Sequence, residues 1–246
     1  MCTTLPSVAP KSIWHRDDRD RLGFLRTVRG FSLLPSATLH QVLAASSTRR
    51  IPRGSFIFLQ GEPIASVHLL LEGRIKIVRE TEEGRAVIMR LIEPGDLFGI
   101  VGHWSRSTYR NSALAQTNAT ALAVPRTAFA SLMASDTAFA TAILDELGKR
   151  LNDAEARIQD LQTEHAACRT ARMLLKLFDE AKGGSGEAPP TVPLSRQDLA
   201  DLCGTNLSTA SRTLSEWEQD GIVDAGRERV KLLRPGALAA IAGGRA

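Results

Sequence analysis

Asn206, Leu207, Ser208, Ser211 and Arg212 are the residues whose types and spacing suggest chemistry most directly. On a helix capped at Asn206, positions 208, 211, 212 and 215 share one face, because residues three and four apart stack along a helix. That face carries three serines and one arginine, small hydroxyls beside a planar and permanently charged fork. Small side chains let a helix enter the roughly 12 Å major groove of duplex DNA, where a guanidinium can clasp guanine O6 and N7 or hold a phosphate. On the opposite side, Ala210, Leu214 and Trp217 recur at i, i+4 and i+7, a stripe for burial.

Such a helix reads DNA only if its back is held by a small domain. Immediately upstream, Ser195-Arg196-Gln197-Asp198 has the form of a capping box, and Leu199, Leu202 and Cys203 make the inner face of the helix it opens. Gly204-Thr205 breaks that helix, and Asn206 is a good N-cap for the next. Downstream, Gly221 to Asp224 and Arg229 to Leu233 flank a turn at Ala225-Gly226-Arg227-Glu228, which predicts a two-stranded wing. A winged helix-turn-helix follows, with Ser195, Arg196 and Gln197 joining the reading helix as the expected contacts to double-stranded DNA.

Farther upstream, Leu147, Leu151, Ala154, Ile158 and Leu161 recur at alternating spacings of four and three within charged neighbours. This is a coiled-coil seam, one narrow stripe that fits a symmetric helix pair, and it predicts a homodimer. The helix, from about Asp136 to Leu161, would run roughly 40 Å at 1.5 Å per residue. A further helix spans Arg169 to Glu180, and the Gly- and Pro-rich run Ala181 to Pro193 is expected as a loop.

Between about Arg49 and Val124 the pattern becomes short strands: 56–59, 67–71, 74–79, 86–92 and 119–124, punctuated by glycine and proline turns. Evenly spaced short strands argue for a closed antiparallel barrel or jelly roll. The expected fold class is therefore α+β, with a flexible lead-in over 1–22, a jelly-roll sensor domain over 23–135, a dimerisation helix over 136–163 and a winged helix-turn-helix over 164–246.

Bulk properties narrow the function less. The net charge of +4, from 31 Lys+Arg against 27 Asp+Glu, favours a polyanionic partner only mildly. Cys2, Cys168 and Cys203 form neither a disulfide framework nor a metal-ligand spacing. The absence of a leader-like apolar segment, and of any apolar run near 18 residues, predicts a soluble cytoplasmic protein without a membrane partner. Acidic and histidine residues are scattered without a nucleophile-base-orienter set, so no catalytic candidate and no enzyme is expected.

The order of barrel, long helix and winged helix-turn-helix, with the runs LLLEGRIKIV, EPGDLFG and LSRQDLADLCGTNLSTASRTLSEWEQDGIVD, resembles the Crp/Fnr family of bacterial transcription factors. The resemblance covers roughly residues 25 to 235. It implies a cyclic-nucleotide-binding-like jelly roll, a palindromic DNA site, RNA polymerase as a partner, and Leu207, Ser208, Ser211 and Arg212 at the base-reading positions. Ser208 stands where the family usually has a glutamate, so the half-site is expected to differ.

The family's cyclic-nucleotide cassette maps onto Gly99, Ile100 and Val101 and, eleven residues after Gly99, onto Arg110 and Asn111. Arg110 keeps the phosphate-pairing charge, whereas Ile100 replaces the carboxylate that would accept from a ribose hydroxyl. On the long helix Ala154 and Glu155 replace the usual hydroxyl pair. The expected effector is thus something other than cyclic AMP, or none. Two alternatives stay open: a haem-based NO or CO sensor, with His103 as the candidate ligand, and a cyclic-nucleotide-responsive regulator. An iron-sulfur cluster needs four cysteine ligands, and three are present.

Overall fold

The computed structural model describes residues 18–28, 30–82, 86–100, 108–163, 165–181 and 189–243. His103 and Val101 lie outside the described residues, as does Cys2. The chain forms two compact units, Met1–Lys76 with Leu91–Leu147, and Ile77–Arg90 with Gly148–Ala246.

The first unit opens with helices α1 (Asp18–Thr27) and α2 (Ser36–Ala45). The flexible lead-in expected over 1–22 therefore gives way to a helix at Asp18. The physical reason is apolar spacing: Leu22, Leu25 and Val28 recur every three residues and pack into the core.

The strands are β1 (Ser47–Ile51), β2 (Phe56–Phe58), β3 (Ser66–Glu72), β4 (Ile75–Glu80), β5 (Ala86–Ile92), β6 (Leu97–Phe98), β7 (Ser112–Ala115) and β8 (Ala119–Pro125). They form two four-stranded sheets, ordered β1-β8-β3-β6 and β2-β7-β4-β5, of which most of β4 and β5 (Ile77–Arg90) belongs to the second unit. β3 pairs antiparallel with β8, with Val67 opposite Val124 and Leu69 opposite Leu122. Side chains alternate along β3: Val67, Leu69 and Leu71 join the main core, leaving His68 and Leu70 for the other face. Gly73, at φ +85°, turns the chain from β3 to β4 so close to Asn118 and Ala119 that a Cβ would sit 2.4 Å from the Asn118 carbonyl oxygen.

Helix α3 (Arg126–Ser135) and the start of α4 (Thr137–Thr163) close this core with Phe129, Leu132, Phe139 and Ile143. Phe139 packs its ring against both Phe129 and Phe31, at centroid distances of 5.5 and 5.9 Å. Asp136 supplies the α4 cap: its carboxylate accepts from the Phe139 N–H at 2.9 Å and from the Thr38 hydroxyl.

In the second unit, α5 (Ala166–Ala181) buries Ala171, Leu174, Leu177 and Phe178. It packs against α6 (Arg196–Cys203), α7 (Leu207–Gln219) and α8 (Pro235–Ala242). The wing is larger than the sequence suggests. β10 (Val223–Gly226) and β11 (Arg229–Leu232) are joined by β9 (Thr191–Val192), in the order β10-β11-β9. Thus the run Ala181 to Pro193, expected as a loop, holds a strand. Val192 pairs with Val230 and is fully buried, a long-range gain that two residues beside prolines do not advertise.

Candidate nucleic-acid interface

The position of α7 is set by four devices. At the start of α6, Ser195 accepts from the Asp198 N–H at 3.1 Å while the Asp198 carboxylate accepts from the Ser195 N–H at 3.3 Å. At its end Gly204 adopts the left-handed conformation, φ +61°, and reverses the chain. Arg169 on α5 donates from Nε to the Cys203 carbonyl at 3.1 Å, satisfying a carbonyl that the helix leaves unpaired. Asn206 then caps α7, accepting from the Thr209 N–H at 2.8 Å.

On α7, Ala210, Thr213, Leu214 and Trp217 are buried. Leu207, Ser208 and Arg212 are exposed on the other side, and Ser211 is half-buried beside them. The Arg212 side chain is 75% exposed, and its acidic neighbour, Glu216 at 3.9 Å, is exposed too. Exposed helix pairs of this kind are weak and yield readily to a stronger anion such as a phosphate or a base edge.

The residues named on α6 behave differently. Arg196 donates to the Ser211 carbonyl at 3.0 Å and to the Ser215 hydroxyl at 3.1 Å, with Glu218 at 4.0 Å. Gln197 donates its amide to the Asp201 carboxylate at 2.8 Å. Ser195 spends its hydroxyl on the cap. These three side chains therefore hold α6 and α7 in place, a role that sequence spacing does not reveal, because Ser211 and Ser215 lie a turn or more into the next helix.

The seam residues of α4 divide. Leu147 packs against the core of the first unit. Leu151, Ala154, Ile158 and Leu161 are exposed, with Leu151 at 59% and Ile158 at 56%, and Leu144 extends the same stripe. Among the described residues, nothing covers Leu144, Leu151 or Ile158, whereas Leu161 lies partly against Gly204.

At the cassette positions, Gly99 has φ +79° and approaches Tyr109, His68 and Phe58, with 3.3 to 3.4 Å separating them from an added Cβ. Ile100 is completely buried in the main apolar core, Asn111 is half-buried and Arg110 is exposed. The overlooked residue here is His68. Its ring stacks on Phe98 at 5.0 Å and lies 5.7 Å from Phe58, which stacks on Tyr109 at 3.8 Å. Among the described residues, neither His68 nitrogen has a hydrogen-bond partner. Burial, helped by the positive Arg49, lowers its pKa to about 3, so the imidazole is neutral.

Cys203 is buried as a small apolar group, and desolvation pushes its thiol up to about 11. Among the described residues no group of three or more His, Cys, Asp or Glu side chains is placed to hold a metal ion, and no single helix is long and apolar enough to cross a membrane.

Two family models match this arrangement: a cyclic nucleotide-binding domain over residues 48–136 and a Crp-like helix-turn-helix domain over residues 168–241. The nitrogen fixation regulation protein FixK of Azorhizobium caulinodans is 30% identical over 84% of this chain and 83% of its own. The cyclic AMP receptor protein of Thermus thermophilus is 29% identical over 80% of this chain and 88% of its own. In structure, a Crp-family transcriptional regulator, also of Thermus thermophilus, superposes with a TM-score of 0.68 at 27% identity, covering 79% of this chain and 96% of the other. With a nucleotide-binding-like jelly roll in front of a Crp-like helix-turn-helix, and relatives matched across most of their length, this chain belongs to the Crp/Fnr family of DNA-binding transcription regulators.

Proposed function

We propose that the protein is a cytoplasmic homodimer that recognises a palindromic DNA site and regulates transcription together with RNA polymerase. The observation that carries this reading is the pairing of an exposed Ser208-Arg212 face with an exposed apolar stripe on α4. The first supplies base recognition. The second, buried against its own copy, supplies the two-fold symmetry that a palindrome mirrors. Ser195, Arg196 and Gln197 lie beside this face, with Arg196 against Ser211 and Ser215, and are expected to contact the DNA backbone.

The sensor domain responds to a ligand other than cyclic AMP, or to none. Ile100 supports this: a side chain sealed in an apolar core offers no acceptor to a ribose hydroxyl, and a polar ligand group left unpaired costs about 1–3 kcal/mol. The relatives that are named for cyclic AMP leave the cyclic-nucleotide reading as the second one, with exposed Arg110 as its anchor.

Calorimetric titration separates the two. Cyclic AMP at millimolar concentration is expected to give no binding heat and to leave DNA affinity unchanged; saturable binding would reinstate the nucleotide. In parallel, DNA affinity should fall steeply with salt, since phosphate contacts release counterions. A salt-independent affinity would argue against a DNA partner.

A further inference from the structure

Arg157 lies on the exposed half of α4, yet its guanidinium ties three elements together. One nitrogen donates to the Met89 carbonyl of β5 at 3.2 Å, and another to the Asp201 carbonyl of α6 at 3.0 Å. Beside it, the Asp201 carboxylate accepts from the Ile88 N–H at 3.3 Å with one oxygen and from Gln197 at 2.8 Å with the other. Asp201 is 6% exposed and Ile88 4%, so the bond between them is buried, with Arg157 at its edge. β5 is the last strand of its sheet, so an amide pointing outward from it has no ladder partner of its own. A buried donor needs one, and Asp201 provides it.

One helical turn beyond Arg157, Leu161 seats against the turn between α6 and α7. A Cβ on Gly204 would lie 2.6 Å from a Leu161 methyl. The turn is therefore both left-handed and too close to α4 for a side chain. From α6 the restraint passes to the reading helix through Arg196, which grips the Ser211 carbonyl and the Ser215 hydroxyl.

We infer that Arg157 and Asp201 are positioning residues which fix the angle of the reading helix to the α4 seam, and so set the half-site spacing that the dimer accepts. The inference rests on the dimeric DNA-binding reading above. Two reading helices that share one seam can meet successive major grooves, roughly 34 Å apart, only if each is held rigidly to its own α4. A loosened head would still bind a half-site but would tolerate other spacings.

The test uses the full-length protein and a selected palindrome whose half-sites are moved apart or together by one to three base pairs. The wild type should lose roughly tenfold in affinity when the spacing changes by one or two base pairs. Arg157→Ala and Asp201→Ala should flatten that preference to about threefold or less, while dimer mass stays unchanged. A variant that merely weakens the fold lowers all affinities alike and keeps the ratio between spacings. Hydrogen exchange adds a second reading: the Ile88 amide should exchange slowly in the wild type and rapidly in Arg157→Ala.

An unaltered spacing preference in Arg157→Ala, or fast exchange at Ile88 in the wild type, overturns the inference and leaves DNA binding intact. Absence of spacing-dependent binding by the wild type overturns the dimeric reading, and the inference with it.

Discussion

In the proposed reading, sequence recognition turns on Arg212, which is three-quarters exposed and whose partner on the helix, Glu216, is itself solvated. Arg212→Ala should cost on the order of 1–3 kcal/mol in specific binding and relax preference at one base pair per half-site, measured by competition among single-substituted duplexes. A uniform loss across all duplexes would instead make Arg212 a phosphate contact. Ser208 is exposed one turn before it and cannot accept from cytosine N4 as a carboxylate does, so the preferred half-site should not follow the family's usual pattern. His68 gives a different kind of prediction. Below pH 6.5 the unfolded chain takes up a proton that the folded imidazole refuses until about pH 3, so His68 lowers stability progressively across that window and has no effect above it. The slope approaches about 1.4 kcal/mol per pH unit. Urea midpoints at pH 7, 5.5 and 4.5 should therefore fall more steeply for the wild type than for His68→Leu; equal slopes would mean that the ring is already charged or exposed.

Among the elements, α4 is the one on which the proposed homodimer rests. Leu144, Leu151 and Ile158 recur every seven residues, and their exposure makes sense when a second helix covers them. Ile158→Asp should yield a monomer by light scattering, with much weaker DNA binding, because the dimer would bury an unpaired charge. An unchanged dimer mass would place the interface elsewhere. This helix was legible in the sequence because its signal is periodic and local. So were α6 and α7: Ser195 with Asp198, Gly204 and Asn206 each declare a helix end within four residues. β7 and β9 were not. Ser112 to Ala115 is a run of small residues apart from Leu114, and Thr191-Val192 sits among prolines, so both become strands only through partners far along the chain. α1 and α2 were also missed, and their apolar spacing gains its meaning from the core contacts it makes.

Across the whole molecule, the exposed polar face of α7 was readable and the contacts that hold it in place were not. Ser208 and Arg212 stand out by type and period alone. Arg196 and Gln197, by contrast, look like surface contacts until the fold brings Ser215 and Asp201 beside them, and Arg157 looks like one more charge on a solvated helix until β5 and α6 meet it. His68 was hidden for the same reason, since Phe58 and Phe98 reach it from two other strands, with Tyr109 stacked on Phe58. The sensor follows the family in its backbone and departs from it at Ile100, which is core rather than ligand surface. Regulation of the proposed kind depends on two symmetric reading helices acting together. Selection from a pool of random duplexes at moderate salt tests that most directly. It should enrich a palindrome with half-sites one helical turn apart, roughly 34 Å, and Ile158→Asp should lose the enrichment. Enrichment of single, unpaired half-sites by the wild type, or no enrichment at all, would contradict it.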